Sequence, residues 1–77
     1  AYALVGDAYV ELDQPGKAVD YFKKAANYNP NAEFTPSYLL KLALAQEAAG
    51  DLAGAKASYQ KLADEYEDSQ EGRNAKK

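Results

Sequence analysis

Apolar residues recur at Tyr2, Val5, Tyr9 and Leu12, the three-and-four spacing that lines one face of an amphipathic α-helix. The pattern predicts a first helix over 2–12. Asp13, Gln14, Pro15 and Gly16 interrupt it. Pro15 suits the first turn of a following helix, where its missing N–H would have no partner anyway, although Gln14 is a poor cap. A second helix is predicted from there to about Asn27, with Ala18, Phe22, Ala25 and Ala26 on its inner face. The stretch 27–35 is rich in Asn and Pro and reads as a connector. Thr35 followed by Pro36 reads as an N-cap with proline at the first helical position, which starts a third helix there and carries it to Ala49. Gly50 then accepts the left-handed conformation that ends a helix, and Asp51 caps a fourth over 52–66. Ser69 is placed to cap a short fifth segment.

The two halves are one pattern written twice. Gly6, Ala8, Ala18, Phe22, Lys24 and Ala26 return as Ala43, Ala45, Ala55, Tyr59, Lys61 and Ala63, all at an offset of 37. Persistence of residue size at a fixed period is the mark of stacked supersecondary units that bury equivalent positions. Small residues at these sites let paired helices approach closely.

The order of large and small residues in the first copy (Tyr2, Val5, Gly6, Tyr9, then Ala18, Phe22, Ala25, closing with Pro30) resembles the tetratricopeptide repeat. Tyr2 stands where that family prefers tryptophan. The second copy (Leu39, Leu42, Ala43, Gln46, Ala55, Tyr59, Leu62) carries Gln46 in place of tyrosine, and Glu67 in place of the closing proline. The resemblance implies an all-α fold: two antiparallel helix pairs stacked as a right-handed solenoid, divided at 1–34 and 35–68, with 69–77 as a partial capping helix or the start of a further repeat. It also implies a non-enzymatic scaffold for protein–protein interaction. The ending Asp64, Glu65, Tyr66, Glu67, Asp68, Ser69 is similar to repeat ends in bacterial envelope members of the family.

Composition narrows the chemistry. With 77 residues a single core is small, and two repeats fall short of the three or so that usually make such a stack stable, which implies neighbouring repeats or a second chain. The chain begins at Ala1 and has no methionine, the expectation for an excised or mature segment. The absence of cysteine and histidine removes disulfides and thiolate or imidazole metal ligation. The apolar run around Leu39–Ala45, broken by Lys41, is far shorter than the roughly 18 residues of a membrane span. A net charge of −3 without a lysine or arginine cluster disfavours nucleic acid, which is held by counterion release at basic patches. No cofactor is implied.

Candidate catalytic groups are sparse. Ser58 and Lys61 match the serine-x-x-lysine spacing of some acyl-transfer enzymes, but companion motifs are missing and both read as solvated helix surface. The acids from Asp64 to Glu71 lack the alternating ligands of a calcium loop. Glu11 and Asp13 could pair as carboxylates, with no histidine to share acid–base work. Of the seven tyrosines, Tyr2, Tyr9 and Tyr59 fall at inner-face positions, whereas Tyr28, Phe34 and Tyr38 flank the connector and are expected to pack it against the second pair.

The third helix has apolar residues in excess of its packing face: beside Leu39, Leu42 and Ala43 it carries Leu40 and Leu44 one turn apart. In a stacked solenoid that second face lines a concave groove, together with Ala3, Asp7, Val10 and Glu11 of the first helix. Leu40 and Leu44 as floor and Asp7, Glu11 and Glu47 as walls would suit an apolar, somewhat basic segment such as an amphipathic helix. The lysine and asparagine clamp with which some tetratricopeptide proteins hold a terminal carboxylate is missing. A structural alternative has Leu40 and Leu44 in a self-contact that dimerises or extends the array. A more distant one is RNA recognition by helical-pair repeats.

Overall fold

The computed structural model describes residues 1–76. It is all helical, with no strand among the described residues: α1 (Tyr2–Glu11), α2 (Pro15–Asn27), α3 (Thr35–Ala48), α4 (Leu52–Glu65) and α5 (Gln70–Ala75). Each helix packs on the next in the chain, and α5 also reaches back to α3. The buried core joins α2, α3 and α4 through Ala18, Phe22, Ala26, Leu39, Leu42, Ala45 and Leu62.

The repeat extends to the turns. Asp13 and Gly50, again 37 apart, both sit in the left-handed region at φ 57° and 84°. After α1, the N–H of Gln14 donates to the Tyr9 carbonyl at 2.8 Å and that of Asp13 to Val10 at 3.0 Å; after α3, Asp51 donates to Gln46 at 2.8 Å and Gly50 to Glu47 at 3.0 Å. These are paired Schellman closures, and only the second has the residue that tolerates the conformation without strain. Asp13→Gly is therefore expected to stabilise the fold by about 0.5–1 kcal/mol, read as a higher urea midpoint at unchanged slope. An unmoved midpoint would mean that the Asp13 side chain already relieves the strain.

Pro15 opens α2. Asp51 and Ser69 act as predicted, their side-chain oxygens accepting from the N–H of Gly54 and Gly72, each at 2.9 Å. Thr35 does not. It lies inside α3, 2 % exposed, and the capping residue is Asn31, one turn earlier. The Asn31 Oδ1 accepts from the N–H of Glu33 at 3.0 Å and of Phe34 at 2.8 Å, while the Thr35 N–H donates to the Asn31 carbonyl at 3.1 Å. Thr35 reciprocates by accepting the Asn31 N–H on its hydroxyl at 2.8 Å. Its hydroxyl is thus already engaged, and the chain enters α3 through a capped turn that the Thr-Pro pair conceals.

Three side chains lie elsewhere than the spacing suggests. Tyr2 is 42 % exposed and meets Tyr28 edge-on, ring centroids 6.1 Å apart, so Tyr28 leans on α1 and does not tie the connector to the second pair. Ser58 is buried, not solvated, and donates to the Gln46 Oε1 at 2.6 Å. Gln46 and Ser58 occupy the positions held in the first copy by Tyr9 and Tyr21, whose rings stack at 5.5 Å. One repeat fills the contact with aromatic surface and the other with a paired buried hydrogen bond.

Candidate functional site

Stacking α3 on α2 brings α1 and α3 alongside each other, and a cavity of about 310 Å³ opens between them. Phe22 forms its floor; Val10, Pro15, Leu44, Ala45 and Ala48 form apolar walls, and Asp7, Asp13 and Lys41 stand at the mouth. Small side chains on α3 leave the room. The last turns of α1 carry Val10 to one side, and Leu44, 53 % exposed, faces it from the other.

Asp7 and Lys41 close one edge, with Nζ 2.7 Å from Oδ1. The side chains are 44 % and 41 % exposed, so the pair contributes at most about 1 kcal/mol; what it sets is the register of α3 against α1. The Lys41 ammonium also lies 5.8 Å from the Phe22 ring centroid. Asp7 is thus already balanced by Lys41, and Asp13 remains as the carboxylate at the mouth.

Of the residues expected to line a groove, Asp7, Val10 and Leu44 come together here. Ala3 lies apart, in a small recess of about 170 Å³ with Tyr28, Phe34 and Tyr38. Leu40 is half-buried and packs against the core, so it is not part of this cavity floor. Glu11 is exposed outside the cavity. Glu47 faces α4, where it accepts a hydrogen bond from the Tyr59 hydroxyl. That bond, then burial, then the carboxylate's charge push the Tyr59 hydroxyl up to about 12.

Asp13, Pro15, Phe22, Lys41, Ala45 and Ala48 complete the site, and none of them is expected from the sequence to line a groove, Asp13 being weighed there only as a carboxylate beside Glu11. Asp13 and Pro15 read there as helix breakers, Phe22 as core, and Lys41 as an interruption of an apolar run. The available signal was the repeat itself: Asp7 and Leu44 are equivalent positions, so a groove between α1 and α3 must join each to the neighbours of the other.

Successive antiparallel helix pairs with equivalent small-residue contacts define a helical-repeat protein. Two family models, both described as tetratricopeptide repeat, match residues 1–32 and 37–69, leaving out only part of the connector and the C-terminal end. The chain belongs to the tetratricopeptide-repeat family. No curated protein matches it, and neither does any solved structure. Repeats of this family generally mediate protein–protein interaction and typically serve as non-enzymatic scaffolds. Among the described residues no helix is long and apolar enough to cross a membrane.

Proposed function

We propose that the chain is a non-enzymatic binding module that holds a segment of a partner protein, such as an amphipathic helix, in the groove between α1 and α3. The observation that supports this reading is the cavity over Phe22, apolar on both walls and open at the surface. Its size suits one or two aliphatic or aromatic side chains. Anchors of that kind, seated in a desolvated pocket, dominate binding energy. Asp13 at the mouth favours a lysine or arginine next to the anchor, because an acidic segment would meet like charge.

Selection of peptides from a displayed helical library against the whole chain tests the reading. Enriched peptides are expected to carry an aliphatic or aromatic anchor beside a basic residue, and Val10→Glu should weaken them at least tenfold by placing a charge on the cavity wall. Val10 is 49 % exposed, so the variant should keep its helical circular dichroism. Selected peptides that bind Val10→Glu undiminished would place the binding surface elsewhere.

A further inference from the structure

The two ends of the stack are complementary to each other. On α3, Leu39, Leu42 and Ala45 are only 2 %, 6 % and 4 % exposed, as members of the core that joins α3 to α2. Their equivalents on α1 are Tyr2, Val5 and Ala8, all exposed. At the other end, Phe22 is 1 % exposed, but its equivalent Tyr59 lines an open cavity of about 510 Å³ with Leu52, which is 68 % exposed. One end therefore presents the helix face, and the other presents the seat that such a face occupies inside the molecule.

A second correspondence is more specific. Inside the stack, Asp7 of α1 meets Lys41 of α3. Applying the 37-residue offset across two copies puts Leu44 of the first where Asp7 stands, and Leu4 of the second where Lys41 stands. The ionic contact becomes leucine on leucine. Both are exposed, Leu4 at 73 % and Leu44 at 53 %.

We infer that a second copy of this chain docks head to tail, its α1 seated on α4 as α3 is seated on α2. The room is present: α5 (Gln70–Ala75) corresponds to 33–38, the turn that leads into α3, and Tyr2 of the second copy corresponds to the position after it. Overlap begins at Ala75, which packs against the core and coincides with Ala1 of the second copy, and next at Lys76, whose side chain makes a surface ion pair with Glu67. The contact is heterologous, so it propagates into open chains and does not close as a symmetric dimer. One element opposes it. Glu47 takes the place of Val10 and stands across from the second copy's Glu11, whose neighbour Asp7 is already paired with Lys41, so the association strengthens as salt screens the Glu47–Glu11 repulsion.

Sedimentation of the whole chain over a range of concentration, at low and high salt, tests this. The average mass should climb with concentration, and more steeply at high salt. Leu4→Glu removes the head and Leu52→Glu removes the seat, and each alone should stay monomeric. Both sites are exposed, and unchanged circular dichroism verifies the fold. Mixed together, the two variants should form a one-to-one dimer and stop there, because each retains one competent end. A chain that remains monomeric at millimolar concentration in both salts, a mixture that fails to associate, or a single variant that dimerises with itself would overturn the inference. Val10→Glu, which disables the proposed peptide groove, should leave self-association intact, so the two readings fail separately.

Discussion

Phe22→Ala is expected to cost about 3–5 kcal/mol, the range for deleting a buried aromatic side chain. Phe22 is the centre of the molecule: 1 % exposed, filling the space left by Gly6, and joined to Ala18, Leu39 and Leu42 in one cluster. A chain of this size commonly has a total stability of about 4–12 kcal/mol, so the loss takes away a large part of it. The equivalent change in the second copy, Tyr59→Ala, removes a ring that lines an open cavity and should cost about 1–2 kcal/mol. Urea unfolding of the two variants at low protein concentration measures both numbers. Equal losses would show that burial does not follow from which helix is seated on which, and the account of the two ends would fail with it.

Gly6→Ala is expected to destabilise by about 1–2 kcal/mol, although alanine is the better helix former by about 1 kcal/mol. The sign is decided by space. A Cβ on Gly6 would stand 2.5 Å from Phe22 Cε1 and 2.7 Å from Cδ1, well inside contact distance, and the ring can yield only by leaving its packing in the core cluster for the cavity that it floors. Overpacking of that kind costs about 1–3 kcal/mol, which outweighs the propensity gain. In the second copy the same position is Ala43, fully buried and tolerated, opposite Tyr59, whose ring borders open space. The double variant Gly6→Ala with Phe22→Leu should recover part of the loss, since the smaller side chain vacates the contested volume. A Gly6→Ala protein more stable than the parent in thermal unfolding would contradict the close approach of α1 to α2.

Self-association and groove binding share Leu44, which lines the internal groove and also faces Leu4 of a second copy, but Val10 belongs to the groove alone and Leu4 and Leu52 to the junction alone. If head-to-tail docking occurs, each junction covers the Tyr59 end of one copy and recreates a groove between the α3 of that copy and the α1 of the next. That groove would carry Glu47 where the internal one carries Val10, giving it a more acidic wall and a different preference.

Helix boundaries, both stop-and-start turns and the repeat were legible in the sequence, because they depend on local rules: apolar period, proline at a first turn, and a left-handed residue at a helix end. The start of α3 at Thr35 was legible too, but its capping residue was not. The Thr-Pro pair carries a strong capping signal, and the reciprocal Asn31–Thr35 bonds replace it with one that spans a turn. Ser58 was misplaced for a related reason. Ser58 lies three positions after the inner Ala55 and reads as outward because it is polar, but Gln46 on the opposing helix gives its hydroxyl a partner, and a paired hydroxyl is tolerated inside.

The sequence alone determined that this is a doubled helix pair with small residues at its contacts, since residue size at a fixed period records what must be packed. Only the tertiary structure decided which copies of those positions are covered. Tyr2 and Leu39, Phe22 and Tyr59, or Asp7 and Leu44 are equivalent along the chain, yet burial is conferred by the helix seated against each one. Whether an apolar residue completes the core, lines the groove or stands open at an end is therefore set by its neighbours across the stack.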